Sequence, residues 1–431
     1  MPLLNREMGV SMAYLEHVDF KPWREAHVGD ELEWEHDRLA RSIPRLPQIF
    51  WESGPSWAEV NLWALETLTN HNRDIETVKS LMKHLRSYAC FLEKNELDWR
   101  HFPLRRSERA VVRFRGHLIH QIETGTLASS TARARMNAVV QFYRFAAEHD
   151  FIITNTPMWR ERPILIRYHD THGFRRALTR MSTDLAIPNR RAPGDRLEDG
   201  LLPLSDTHMT ELLEFTANEE TEELHLMLTI GCFTGARLRT ISTLRIENLE
   251  QAQPDPFIDG LFLIRVGPGT QVSTKFNVEG YLTFPKILLD ELKRYAYSTA
   301  RLKREAKAAS TYRSVLFLTS RGKPYSNSTI GTLMTGLRNK ARRANLQFIA
   351  RFKFHQTRAT YGTWLMKLAL SVTTTAAAIE FVKSAMLHKH ESTTFKYVKF
   401  LESTKGKEEV AQAFHEAFTG LRSRSWDDYN A

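Results

Sequence analysis

Six residues of the 431-residue chain could do chemistry together: Arg237, Lys275, His355, Arg358, His388 and Tyr397. They form an ordered set of cationic and imidazole side chains that ends in a phenol. A guanidinium pairs bidentately with phosphate and stays charged. A phenol, with an ordinary pKa of about 10, needs a base or a cationic field before it can attack at pH 7. The residue types therefore suit nucleophilic attack on a phosphodiester, where charge growing on the non-bridging oxygens must be neutralised. Each string is weak by itself. Thr234-Gly235-Ala236-Arg237 is also an ordinary helix terminator. Lys275 reads equally as a solvated loop lysine, and a second His-x-x-Arg occurs at His172 and Arg175. Tyr361 and Tyr281 are rival phenols. Tyr361 follows Arg358 by one helical turn and should be buried with its helix, whereas Tyr397 stands nine residues after His388, behind a polar segment able to move the phenol in and out.

These side chains need elements to hold them. An apolar helix over 224–233 runs into Thr234-Gly235, and a second periodic segment, 238–244, follows Arg237. Strand-like runs at 261–266 and 280–285 flank Lys275 and put it at a hairpin tip, with 315–318 as a candidate third strand. His355 and Arg358 share one face if their segment is helical. Upstream, Val78, Leu81, Met82, Leu85, Ala89 and Leu92 repeat at the spacing of a buried helical face. A further helix is expected after Ser129, Ser130 and Thr131, which are good N-cap residues, with Met136, Val139, Val140, Tyr143 and Ala146 on its apolar side. Residues 56–157 thus read as a small all-α domain, 1–55 as an N-terminal extension of unknown role, 158–203 as a linker and 204–431 as a second domain. The stretch 160–196 carries nine arginines against four acids, which suggests an exposed connector with some helix, or a basic strap along phosphates.

Composition narrows the class. Lys and Arg number 60 against 50 Asp and Glu, a net charge of +10, and the pI is near 9.5. Such a surplus favours a polyanionic partner. Cys90 and Cys232 are the only cysteines, so no disulfide framework or clustered zinc site is expected. The start of the chain has no apolar core of a secretory signal, and no apolar run approaches the roughly 20 residues of a membrane span. The expectation is a soluble, cytoplasmic, nucleoid-associated protein. Gly267-Pro268-Gly269-Thr270 lacks the GK[ST] of a nucleotide loop, and neither GxSxG nor HExxH occurs. No carboxylate cage for Mg²⁺ is evident. No metal and no cofactor is expected.

Taken in order, TGARLRTISTLR, STKFNVEGYLTFP, FHQTRATYGTWLM and MLHKHESTTFKY resemble the catalytic signature of the tyrosine recombinases, the phage integrase family. The resemblance is strongest over 224–400. It extends more loosely over 77–157, where STARARMNAVVQFYRFAAEH is similar to the last helix of the family's core-binding domain. It departs from the family at Thr240, where an acid is common, and at Leu387, where a glycine is usual. The interval from Arg358 to His388 is also long, with the insertion in LALSVTTTAAAIEF.

The resemblance implies a mainly α fold with a small antiparallel sheet, in which a core-binding domain and an α+β catalytic domain form a C-shaped DNA clamp. It implies site-specific recombination through a 3′-phosphotyrosine intermediate, for integrating, excising or transposing a mobile element. Tyr397 would be the nucleophile, with His355 assisting proton removal, Lys275 protonating the 5′-oxygen and His388 bonding the phosphate. The partners would be double-stranded DNA and further copies of the chain, a tetramer in synapsis, with a C-terminal helix over 405–421 docking on a neighbouring protomer. Arg133, Arg135, Arg190, Arg191, Arg338, Arg342 and Arg343 are the candidate DNA contacts. Two other readings share these residues: a type IB topoisomerase-like enzyme and a catalytically inactive DNA-binding accessory protein.

Overall fold

The computed structural model describes residues 12–418 apart from 29–30, 38, 41, 71–72, 170–174, 189–196 and 198–199. The chain divides into two compact units, Met1–Ala192 and Pro193–Ala431.

In the first unit, β1 (Tyr14–Phe20) pairs antiparallel with β4 (Ile43–Phe50), and β2 (Trp23–Val28) pairs with β3 (Glu31–His36). Four helices follow: α1 (Ala58–Thr69), α2 (Ile75–Lys94), α3 (Ala110–Glu123) and α4 (Ser129–Glu148). The periodic apolar face read at 78–92 is the buried side of α2. Trp57, Tyr88, Trp99, Phe142 and Tyr143 interlock at its centre, and the Tyr88 and Tyr143 hydroxyls meet at 2.7 Å. The N-terminal extension is tied to these helices. Ala13 and Ile49 lie in the same core, Ala13 N–H donates to Glu93 Oε2 at 2.5 Å, and Asn61 pairs with the Ile49 backbone in both directions at 2.8 and 3.0 Å. Glu93 and Asn61 are polar residues inside helices, a pattern that gives no hint of a strand partner.

Two local expectations are corrected. Helix α4 begins at Ser129, not after Thr131, with Ala128 as N-cap and no side-chain cap. The preceding turn folds back on α3, with Leu127 N–H donating to Gln121 O at 3.0 Å, and this sets where the helix starts. The arginine-rich connector is strand rather than helix: β5 (Glu161–His169) and β6 (Arg175–Thr183) form an antiparallel hairpin. Its base is fixed by an Arg106–Asp184 ion pair at 2.5 Å and by Arg144–Glu161 at 2.7 Å. Ile164, Leu165 and Met181 remain exposed, so charge concealed a β-forming run.

The second unit holds α5 (Asp206–Glu219), α6 (Glu222–Thr234), α7 (Leu238–Ser242) and α8 (Ile246–Glu250), then a sheet of β7 (Gln253–Pro254), β8 (Leu261–Val266) and β9 (Gly280–Pro285). The third strand is therefore β7. Residues 315–318 make only single bridges, Val315 to Arg245 and Leu318 to Pro324. The remaining helices are α9 (Lys286–Ala296), α10 (Thr299–Glu305), α11 (Asn327–Arg343), α12 (Gln356–Val372), α13 (Thr375–Ala385) and α14 (Glu391–Phe418). Side-chain caps at Ser205, Thr221, Ser298, Ser326 and Thr374 start five of these helices. One core joins α6, the sheet, α9 and α11, and a second joins α12, α13 and the start of α14. Among the described residues, no helix is long and apolar enough to cross a membrane.

Asn61→Ala should destabilise the chain by about 2 kcal/mol in urea unfolding, because it strands a buried backbone N–H and C=O. Hydrogen exchange at Ile49 should speed up, while exchange in α6 and α12 stays unchanged.

Candidate active site

Helix α12 is the base of the site. Its first turn carries Arg358, which is 2% exposed. Arg358 Nη1 donates to Gly235 O at 2.5 Å and Nη2 to Met386 O at 2.6 Å. Gly235 caps the end of α6 and Met386 the end of α13. One guanidinium therefore fixes the two chain turns that lead to Arg237 and His388.

Local sequence explains why these turns form. Gly235 has φ +63°, and a Cβ there would lie 2.4 Å from the Tyr361 ring, so both backbone and packing require glycine. Arg237 follows as the N-cap of α7, half-buried and extended. On the other side, Leu387 adopts φ +52°, which accounts for glycine being usual there. Leucine costs strain in that conformation, but its buried side chain belongs to the neighbouring core and meets Gly280 of β9, where a Cβ would lie 2.4 Å from it. The departure from the family pattern thus pins the His388 turn to the sheet.

His388 is buried, and its Nδ1 lies 2.8 Å from Thr394 Oγ1. Its ring stacks on that of Tyr397, with centroids 6.1 Å apart and planes at 23°. Tyr397 sits in α14 and is fully buried, in the core shared by α12 and α13. The segment before it, expected as a movable polar stretch, is helical from Glu391. Its Thr394 faces inward to bond His388, which explains why the polar residues did not remain a loop.

The other candidates reach the site less directly. His355 is the half-buried N-cap of α12, one turn before Arg358. Lys275 is exposed in a single 3-10 turn, Lys275–Asn277, between β8 and β9. Ser273 N–H donates to Thr243 Oγ1 at 2.9 Å, which ties this loop to the end of α7. The rival phenols differ in setting. Tyr361 is buried on Gly235 with its pKa pushed up to about 12 by desolvation, and Tyr281 is half-exposed on β9.

The candidate contact residues are dispersed. Arg133 is exposed on α4, whereas Arg135 is half-buried and desolvation lowers its pKa. On α11, Arg338 donates to Phe352 O at 3.3 Å, Arg342 to Asn339 Oδ1 at 2.7 Å, and Arg343 is exposed. Arg190 and Arg191 lie outside the described residues, as do the side chains of 406–418 and all of 419–431.

Sequence reasoning missed Gly362, Thr394 and Lys389. A Cβ on Gly362 would come within 2.6 Å of Tyr397 Cε1 and 2.5 Å of Met386 Sδ. An otherwise costly glycine inside a helix, one turn after Arg358, was the available signal. Thr394, three residues before Tyr397, shares its helical face.

The comparisons with known proteins bear on residues 204–403, which match the phage integrase family. No curated protein matches the chain in sequence. Among solved structures, the chain is similar to the Tn1549 transposon integrase in complex with transposon right end DNA, at 14% identity and TM-score 0.49, over 82% of this chain and 99% of that one. It is also similar to a lambda integrase dimer bound to a COC′ core site, at 14% identity and TM-score 0.46, over 79% and 76%. A third is a lambda integrase tetramer bound to a Holliday junction, at 13% identity and TM-score 0.45, over 77% and 74%.

Two outcomes follow from the packing. Gly362→Ala should displace the Tyr397 ring and cost about 1–3 kcal/mol in thermal unfolding, the range for overpacking a core. Tyr361 has its folded-state pKa raised to about 12. Its contribution to stability is therefore complete below its unfolded pKa of about 10 and is lost as pH rises toward the folded value. Tyr361→Phe should flatten the loss of stability between about pH 10 and 12 in urea melts at stepped pH.

Proposed function

We propose, from the match of residues 204–403 to the phage integrase family of tyrosine-type site-specific recombinases, that the chain cuts and rejoins double-stranded DNA through a 3′-phosphotyrosine intermediate. The role proposed is integration, excision or transposition of a mobile genetic element. The observation that supports the reading is the Arg358 guanidinium held between Gly235 O and Met386 O, which fixes the two turns leading to Arg237 and His388.

In the proposed step, Tyr397 Oη attacks the scissile phosphorus and its proton passes to His355. The phosphorus–O5′ bond breaks as the phosphorus–Oη bond forms, and the Lys275 ammonium gives a proton to the departing 5′-oxygen. Arg237 and Arg358 neutralise charge on the non-bridging oxygens. His388, oriented by Thr394, bonds a phosphate oxygen. Because the phosphotyrosine keeps the energy of the phosphodiester, a 5′-hydroxyl from a second duplex can reverse the step without ATP. The phenol is fully covered in this conformation, so attack requires the start of α14 or the 386–390 turn to move.

DNA and further copies of the chain are the proposed partners, with four protomers in synapsis. Arg133, Arg338, Arg342 and Arg343 are the proposed contacts within the described residues. The half-buried Arg135 is the weakest of the set, because moving its charge outward means unpacking it from the α2–α4 layer.

A nicked suicide substrate should trap a covalent adduct at a 3′-phosphate, undiminished by EDTA. Tyr397→Phe should abolish the adduct with DNA affinity nearly unchanged, because the lost hydroxyl acts in the transition state. An adduct that survives the substitution, or that requires Mg²⁺, overturns the assignment. Joining of two different duplexes, rather than plasmid relaxation alone, separates recombination from topoisomerase action.

A further inference from the structure

The tip of the β8–β9 hairpin holds an aromatic side chain that the proposed reaction does not use. Phe276 is 64% exposed and belongs to no core of the described residues. It adopts φ +64°, and Asn277 after it φ +52°. A bulky residue in the left-handed region is strained, and two consecutive non-glycine residues there are rarer still. Burial does not offset that strain, since the ring is mostly in solvent. What the ring does touch is charge. Lys275 Nζ lies 5.3 Å from its centroid and Lys389 Nζ 5.6 Å from it. Both distances are within the range of cation–π attraction. Lys389 follows His388 directly, so the ring links the hairpin tip to the turn that bears His388.

We infer that Phe276 is a positioning residue: its ring holds the Lys275 ammonium at the active site by seating the hairpin tip on Lys389. Lys275 is exposed on a loop and carries a long flexible stem, so without this seat its ammonium samples many rotamers. Two ammonium groups repel each other, and the negative face of one ring shared between them offsets part of that repulsion. A phosphate entering the site completes the balance. The strained backbone is what turns the Phe276 side chain toward both lysines.

The inference rests on the proposed role of Lys275 as proton donor to the 5′-oxygen, and the test separates the two. Adduct formation is followed in single turnover on two suicide substrates, one normal and one with sulfur replacing the bridging 5′-oxygen. A thiolate leaves without a proton, so it does not need the ammonium. Phe276→Leu keeps an exposed apolar side chain but removes the π face. It should slow the oxygen substrate by about tenfold, while the sulfur substrate stays within about twofold and Phe276→Trp restores the oxygen rate. An unchanged oxygen rate in Phe276→Leu overturns the inference, as does an equal loss on both substrates or a failure of Phe276→Trp to rescue. Lys275→Ala is run alongside. If sulfur does not relieve its defect, the assignment of Lys275 itself falls and takes the inference with it. If sulfur relieves Lys275→Ala but not Phe276→Leu, only the role of Phe276 falls.

Discussion

A buried positive charge needs compensation, and the way Arg358 obtains it organises the second unit. Its partners are backbone carbonyls at the C-terminal caps of α6 and α13. Those ends carry the unpaired carbonyls and partial negative charge of a helix. The guanidinium satisfies them and is stabilised by them in return. A planar fork can reach two helix ends at once; a lysine ammonium on its flexible stem cannot hold both directions. The bonds also align the residues just beyond each cap, Arg237 after α6 and His388 after α13. Placement of two proposed site residues and the closure of two helices are thus one interaction, so a change at Arg358 would be felt in folding as well as in the proposed chemistry.

Close approach of α12 to its neighbours makes that reach possible. Gly231 and Gly235 on α6 leave room for Thr357 and Tyr361, and Gly362 leaves room for Met386 and Tyr397. With side chains at these positions, the helices would stand farther from α12 and the arginine would fall short of a carbonyl. The same packing sets Tyr361 apart from the proposed nucleophile. It lies against Gly235 on the α6 side, while Tyr397 lies on the α13 and α14 side, stacked on His388.

Side-chain type and order were legible in the sequence, and so were helices with strong apolar periodicity, α2 and α6 among them. Features set by long-range contacts were not. The pairing of β1 with β4 depends on Glu93 and Asn61, which look like surface polar residues in a one-dimensional reading. The β5–β6 hairpin was hidden by its arginines, because composition registers charge while pairing registers backbone. Residues 315–318 are apolar enough for a strand, yet β7 holds the place beside β8. At the site, Leu387 reads as a defect in a motif until its positive φ and its contact with Gly280 are known. Lys389 carries no signal at all, since its significance lies in the ring of Phe276, more than a hundred residues earlier.

The exposure of the site residues would divide the proposed reaction between two kinds of structure. Arg358 is buried and held by two backbone carbonyls, so its direction is fixed by the fold, as electrostatic stabilisation favours, whereas His388 and Tyr397, also buried, are coupled to the start of α14. Lys275 lies outside, on a hairpin tip connected to the rest through Thr243 and Phe276. An acid that must follow a departing oxygen gains from such a mount, whereas a charge that must meet a growing oxyanion gains from rigidity. The covered phenol fits the same division. Stacked on His388 in the core, it is withheld from solvent in this conformation, and the proposed attack would need a shift of α14, whose N-terminal turn bears the Thr394 that bonds His388. Movement of that helix start would therefore change access to the proposed nucleophile and the orientation of the imidazole together.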